Sequence, residues 1–208
     1  MYVNLIIMKR TKEDAEITKQ DLLEAAFREF LEKGYLKTKL EEIAARAGVT
    51  RGALYWHFKN KEDLLDSLIE WKDLESIEIT NEVLGSSDKP LVKLKKLISL
   101  NFVEFKNKKT EQNFVKLKAE LYKHYNEKGD KNKLMEKFML ACKKLIEDCK
   151  RDGSIKSGVN AEDAAVTILF LCAGSYIRFN AVPSNLRSTS YSKKLTLNYI
   201  NLISKTEK

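Results

Sequence analysis

The sequence predicts an all-α fold of about nine helices, on three observations. Helix breakers are scarce, 8 Gly and 2 Pro in 208 residues, and they fall between stretches whose apolar residues recur every three or four positions. Lys, Glu and Leu, good helix formers, dominate the chain. No segment shows a convincing strand pattern.

The elements follow in order. From Thr18 the apolar residues Leu22, Leu23, Ala26, Phe27, Phe30 and Leu31 lie on one helical face, and Gly34 follows where a left-handed cap would stop a first helix. Thr38-Lys39-Leu40-Glu41 has the pattern of a capping box, with Thr38 accepting from a free backbone N–H, and predicts a second helix to about Ala47. Gly48 suits a tight turn, Val49 fills the corner, and Thr50 caps a third short helix through about Phe58. Two short helices so closely joined make a helix-turn-helix. Asn60 caps a longer helix with Leu64, Leu65, Leu68 and Trp71 on one side, and the expected division is a domain at 1–62 (core 17–62) and a second at 63–208. Further breaks fall at Gly85 to Asp88 before Pro90, at Asn107 to Thr110, at Gly129-Asp130, at Gly153 to Asn160 and at Pro183 to Ser190. The last helix carries Leu195, Leu197, Tyr199, Ile200, Leu202 and Ile203.

Charge and chemistry narrow the function. With 38 Lys and Arg against 30 Asp and Glu the net charge is +8, which favours an anionic partner such as nucleic acid or a membrane surface. The lysines are spread over most helices instead of gathering on one amphipathic face, which disfavours the membrane. Cys142, Cys149 and Cys172 are odd in number and lack zinc-ligand spacing, so they read as small core residues in a reducing cytoplasm. No metal-ligand set, Gly-rich phosphate loop or nucleophile–base pairing stands out; neither metal nor cofactor is expected, and no enzyme activity. The apolar start from Met1 to Met8 is too short for a signal segment, and Met8 is itself a second candidate start. The longest uncharged run, Ala164 to Ile177, has the length of a buried core helix, so a soluble cytoplasmic protein is expected.

The informative stretch is LEEIAARAGVTRGALYWHFKNKEDLL, from Leu40 to Leu65. Ile43, Ala44, Val49, Leu54 and Phe58 can form a rigid apolar underside, which frees Thr50, Arg51, Gly52, Tyr55, Trp56 and His57 for a partner. The N-terminal end of such a helix meets base edges in the major groove. Arg51 can bond O6 and N7 of guanine together. Gly52 allows the backbone close to a base edge, and Thr50, Tyr55 and His57 offer donors at phosphate height. Lys61, in the first turn of the fourth helix, joins a cation to a helix N-terminus and suits a phosphate.

The stretch IAARAGVTRGALYWHFKNKEDLL closely resembles the DNA-binding domain of TetR-family repressors, with Ala44, Gly48, Val49, Tyr55, His57, Phe58 and Lys61 closest to a signature and no departure from the pattern. The wording TRGALYWHFKNK is similar to the AcrR branch of multidrug-efflux regulators. The resemblance covers about the first third of the chain. It implies that Arg51 and Gly52 face bases, that Thr38, Lys39, Thr50, Tyr55, His57 and Lys61 face the DNA backbone, and that Trp56 does some of each. Lys9, Arg10 and Lys12 are expected to form a basic arm upstream.

Beyond Trp71 the residues speak more softly. Phe102, Phe105, Phe114, Leu117, Leu121, Tyr125, Phe138, Phe170 and Tyr176 sit where they can converge inside a bundle, either as plain core or around a small hydrophobic effector. The penultimate helix is apolar nearly all round and must be covered on every side, by the same chain or by a copy across a two-fold axis. The resemblance implies the copy, a homodimer through helices near 161–181 and 191–204. The expected function is a repressor of double-stranded operator DNA, released by its effector and controlling efflux or stress genes. The alternative is a constitutive or architectural DNA-binding dimer with no ligand switch.

Overall fold

The computed structural model describes residues 2–102, 108–128, 133–177 and 188–205, and the side chains of these except 2–12, 118, 121–128, 133 and 175–177. Among the described residues there are nine α-helices and no strand: α1 (Tyr2–Lys33), α2 (Leu40–Arg46), α3 (Arg51–His57), α4 (Lys61–Gly85), α5 (Pro90–Leu100), α6 (Lys108–Lys128), α7 (Lys133–Arg151), α8 (Ala161–Ile177) and α9 (Thr189–Ile203), with a single 3-10 turn at Tyr35–Lys37. The all-α expectation is borne out. Residues divide into two compact units, Met1–Lys72 and Asp73–Lys208.

The first unit is built on one buried set: Leu22, Leu23, Ala25, Ala26 and Phe30 from α1, Ile43 and Ala44 from α2, Leu54 and Phe58 beside α3, and Leu64, Leu65, Leu68 and Ile69 from α4. The unit extends past the expected boundary at 62 because α4 keeps its apolar face in this core to Ile69, and the Lys72 ammonium lies 4.7 Å from the Phe27 ring centre. The first helix begins at Tyr2, well before Thr18. The expected basic arm therefore has helical backbone, and the side chains of Lys9, Arg10 and Lys12 lie outside those described.

Two glycines do conformational work here. Gly34 ends α1 at φ 90, ψ 146, an extended conformation of positive φ that is essentially glycine's alone, where the sequence predicts a left-handed cap. Gly48 sits at φ 70 in the turn between α2 and α3, where the Val49 N–H donates to the Ala44 carbonyl at 3.0 Å.

The second unit has its own apolar core. Leu94, Leu97 and Ile98 of α5, Phe138, Cys142, Leu145, Ile146 and Cys149 of α7, Ala164, Ala165, Ile168 and Cys172 of α8, and Ile200 and Ile203 of α9 form one cluster with Phe102 and Ile155. The turn after α7 is tied to the end of α9 by two backbone bonds, Lys156 N–H to Ile203 and Lys205 N–H to Ser154. All three cysteines are buried and free. Burial pushes the Cys149 thiol up to about 11 and the Cys172 thiol up to about 12, and Cys142 higher still, so all three stay protonated and unreactive.

Candidate nucleic-acid interface

The third helix starts where its sequence says it should. Thr50 is extended, and its hydroxyl oxygen accepts from the Ala53 N–H at 3.1 Å. One turn of underside, Leu54 and then Phe58, is sealed at 0% and 1% exposure. Because a helix turns about 100° per residue, fixing those two fixes the opposite face. Arg51 and Gly52 are exposed, as are Tyr55 and Trp56, the last 73% exposed. The structure thus brings Thr50, Arg51, Gly52, Tyr55 and Trp56 to one exposed surface, supported by a rigid floor.

Arg51 does not wave freely. Its guanidinium makes an ion pair with Glu41 of α2 at 3.2 Å and lies 5.3 Å from the Tyr55 ring centre. The Tyr55 hydrogen bond first, then the Glu41 charge, hold it above its ordinary pKa, so it is a permanent cation. His57 is half-buried, its ring edge-on to Trp56 at 4.6 Å and 6.0 Å from Phe58. Burial first, then the Lys19 charge, lower its pKa from the ordinary 6.5, leaving a neutral imidazole at neutral pH.

Three expectations need correction or refinement. Thr38 is buried, with its hydroxyl directed at the Gly34 carbonyl (3.0 Å) and the Glu29 carbonyl (3.3 Å), so that side chain faces the protein interior and not a phosphate. The capping box sits one residue later than expected: Lys39 is the N-cap, and Glu42 accepts from its N–H at 2.8 Å. Glu41 is thereby released to reach Arg51. Lys39 is exposed, whereas Lys61 is half-buried with its ammonium 4.5 Å from the Tyr35 ring centre, and burial lowers its pKa.

Sequence reading missed the brace behind this surface. Glu29 of α1 is buried, and Arg46 of α2 reaches it at 2.6 Å while Lys33 reaches it at 2.7 Å. Arg46 also pairs with Glu32, and Lys33 with Glu42 at 2.9 Å. The only trace of this in one dimension is a glutamate on the core face of α1, one residue before Phe30.

In the second unit Phe102, Phe114, Leu117 and Phe138 are buried, as a pocket lining or a plain core both require. Phe170 is 69% exposed on α8 and does not converge with them; its neighbours Ala164, Ala165, Ile168 and Cys172 occupy the inner face instead. Phe105 lies outside the described residues, and so do the side chains of Leu121, Tyr125 and Tyr176.

The family of bacterial regulatory proteins called tetR matches residues 22–68, which hold the buried framework of the first unit except Ile69. The chain is 28% identical over 190 residues to the HTH-type transcriptional regulator TtgR of Pseudomonas putida, covering 86% of this chain and 88% of that one. It is 50% identical over 62 residues to the HTH-type transcriptional regulator AcrR of Shigella flexneri, which is 30% of this chain and 29% of that protein. Among solved structures it resembles NalD of Pseudomonas aeruginosa, described as the secondary repressor of the MexAB-OprM multidrug efflux pump, at TM-score 0.60 and 25% identity over 93% of this chain and 100% of that one. TetR-family regulators bind operator DNA and act as dimers with small-molecule effectors. With the turn at Gly48, the floor at Leu54 and Phe58 and the exposed face of α3 all in place, residues 22–68 form a helix-turn-helix DNA-binding domain of the tetR family, and the chain is similar over most of its length to transcriptional regulators of that family's AcrR branch.

Proposed function

We propose that this chain works as a homodimeric repressor that places α3 in the major groove of an operator and leaves it when a small hydrophobic molecule binds within the second unit. The observation that carries the reading is the division of α3 into a wholly buried underside and an exposed face bearing Arg51, Gly52, Tyr55 and Trp56. Arg51 and Gly52 read base edges, Lys39, Thr50, Tyr55 and His57 meet the backbone, and Trp56 contributes to both. Lys61 serves the backbone from the first turn of α4, shielded on one side by Tyr35.

Pairing of two copies through α8 and α9 is supported by what those helices leave uncovered. They pack on each other, yet α8 exposes Phe170, and α9 exposes Leu195 and Leu202. A two-fold axis sets such a patch against itself, and a dimer that reads successive major grooves needs its two recognition helices about one turn of DNA apart, roughly 34–36 Å. The effector site is assigned to the aromatic residues of the second unit, with the buried Phe102, Phe114, Leu117 and Phe138 as its described members. By its relatives' roles, the regulated genes include an efflux system.

The test is binding to the DNA upstream of the protein's own gene against scrambled duplex, over a salt series, with Arg51→Ala beside the wild type. Preference for the upstream DNA, reduced by about 1–3 kcal/mol in Arg51→Ala with the salt slope little changed, supports base reading by Arg51. A wild type that binds every duplex alike at every salt concentration contradicts it. An effector must weaken DNA binding by the factor by which DNA weakens effector binding; independent binding of the two removes the switch and leaves a constitutive dimer.

A further inference from the structure

An acidic residue stands inside a surface meant for a polyanion. Glu41 projects from the first turn of α2, is half-exposed, and pairs with the Arg51 guanidinium at 3.2 Å, while Tyr55 holds the same guanidinium from within α3. Exposed pairs of this kind contribute little to stability, and the floor of α3 is sealed without it by Leu54 and Phe58. The second unit offers no counterpart, an acid clasping the exposed cation of a binding face, among its described ion pairs.

We propose that Glu41 is a specificity-determining positioning residue, which orients Arg51 toward a base edge and withholds its charge from phosphates. This rests on the reading of α3 as the helix that enters the groove. An arginine has five N–H donors in a fixed plane. One edge given to Glu41 still leaves donors for O6 and N7 of guanine, so the pair persists when the right base is met. On any other duplex Arg51 has only its charge to offer, and Glu41 has already neutralised it. A free arginine at this position binds every phosphate it can reach, and counterion release rewards every sequence equally. The carboxylate therefore lowers non-specific affinity more than specific affinity. Glu41 also keeps the guanidinium from turning on its flexible stem, which contact with the Tyr55 ring alone does not prevent.

The test compares wild type, Glu41→Gln, Arg51→Ala and the double variant in the full chain, with Glu24→Gln on α1 as a control for the same change of charge. Each is titrated against a scrambled duplex and against the duplex that the wild type selects from a randomised pool, over a salt series, with a thermal melt of each protein. The expected result for Glu41→Gln is about three- to tenfold tighter binding to scrambled duplex, a salt slope steeper by about one phosphate contact, and a similar loss in the ratio of specific to non-specific affinity. In the Arg51→Ala background the same substitution leaves that ratio unchanged.

Equal changes on both duplexes, matched by Glu24→Gln, mean that only net charge matters and overturn the proposal. A lower melting temperature with both affinities reduced together makes Glu41 a structural residue and also overturns it. A changed base preference that persists without Arg51 means Glu41 reads a base itself, a third way for the proposal to fail. If the wild type selects no sequence from the pool, the groove-reading assignment of α3 falls first and this proposal with it, and that outcome is distinct from the other three.

Discussion

The two units of this chain use aromatic and apolar residues in opposite ways. In the first, the largest exposed side chain, Trp56, stands on a surface whose floor is sealed, so exposure and burial are assigned residue by residue within seven positions of α3. In the second, a broad cluster of Leu, Ile, Ala, Cys and Phe fills the space among α5, α7, α8 and α9, and many other apolar sets of equal volume would fill it too. The match to a known family follows that division: the tetR family matches residues 22–68, within the first unit, while identity to TtgR over 190 residues is 28%. A duplex has one geometry and constrains the face that meets it, whereas a core constrains mainly volume and pattern.

The sharpest test of this contrast sets one phenylalanine against another. Phe58→Ala empties a site 1% exposed at the floor of α3 and is expected to cost about 3–5 kcal/mol, enough to unfold the first unit in a urea melt followed by circular dichroism. Phe170→Ala, at a side chain 69% exposed, is expected to change the stability of the isolated chain by less than about 0.5 kcal/mol. Its effect should emerge instead in sedimentation, as a weaker dimer. A large unfolding penalty at high dilution for Phe170→Ala would return that residue to the interior.

Next in size is the brace between α1 and α2. Arg46→Met removes the partner of a buried carboxylate, and Lys33 alone remains on Glu29. A cost of about 1.5–3 kcal/mol is expected, the range for hydrogen bonds to charged groups. The companion change Glu29→Gln should cost less when made in the Arg46→Met background than alone, because the two share one interaction; additive costs in a double-mutant cycle would show that the contact does not couple them.

A pair of glycines separates folding from function within the turn and helix themselves. At Gly48 an added methyl group meets nothing within 4 Å, so the penalty of Gly48→Ala is conformational, about 1–2 kcal/mol from φ 70. At Gly52 the methyl group would meet only the Thr50 hydroxyl oxygen at 3.8 Å, an ordinary contact. Gly52→Ala should therefore leave the fold unharmed or stabilise it by about 0.5–1 kcal/mol, as for glycine in a helix interior, while weakening DNA binding. If both melting temperature and DNA affinity survive Gly52→Ala, the backbone at that position does not approach the duplex.

These tests also mark what is legible in the sequence. Turn, floor and exposed face of α3 can be read because each depends on neighbours within a few positions: Gly48 on its own backbone, Thr50 on Ala53, Leu54 and Phe58 on helical period. The capping box lies one residue from its expected place because Thr is a better N-cap than Lys by local preference, while tertiary bonds from its hydroxyl to Gly34 and Glu29 draw Thr38 into the interior. The brace of Glu29, Lys33 and Arg46 joins residues up to 17 positions apart and leaves no period to detect. Phe170 reads as interior in the sequence because an all-apolar helix such as α8 gives no polar side by which to orient it; only packing against α7 and α9 does so.

The smallest effect distinguishes the free head from the bound one by pH. His57 has a folded pKa below 6.5, through its burial beside Trp56 and Phe58 and then the charge of Lys19, against a smaller opposing pull from Glu16. The unfolded chain therefore takes up this proton more readily than the folded one. The stability contributed by His57 is fully present above its ordinary value of 6.5, is lost as the pH falls through that value toward the folded one, and is constant below both. A neighbouring phosphate acts the other way, raising the pKa of His57 in the complex above that of the free protein, so DNA binding takes up a proton and tightens as the pH falls through the same window. Stability and DNA affinity should thus move in opposite directions below neutrality, and His57→Gln should flatten both. Thermal melts and DNA titrations at matched ionic strength from pH 7.5 down to about 5.5 supply the comparison. Should affinity stay level while stability falls, His57 packs the back of α3 without touching the DNA backbone, and the donor at that height is Tyr55 or Thr50 instead.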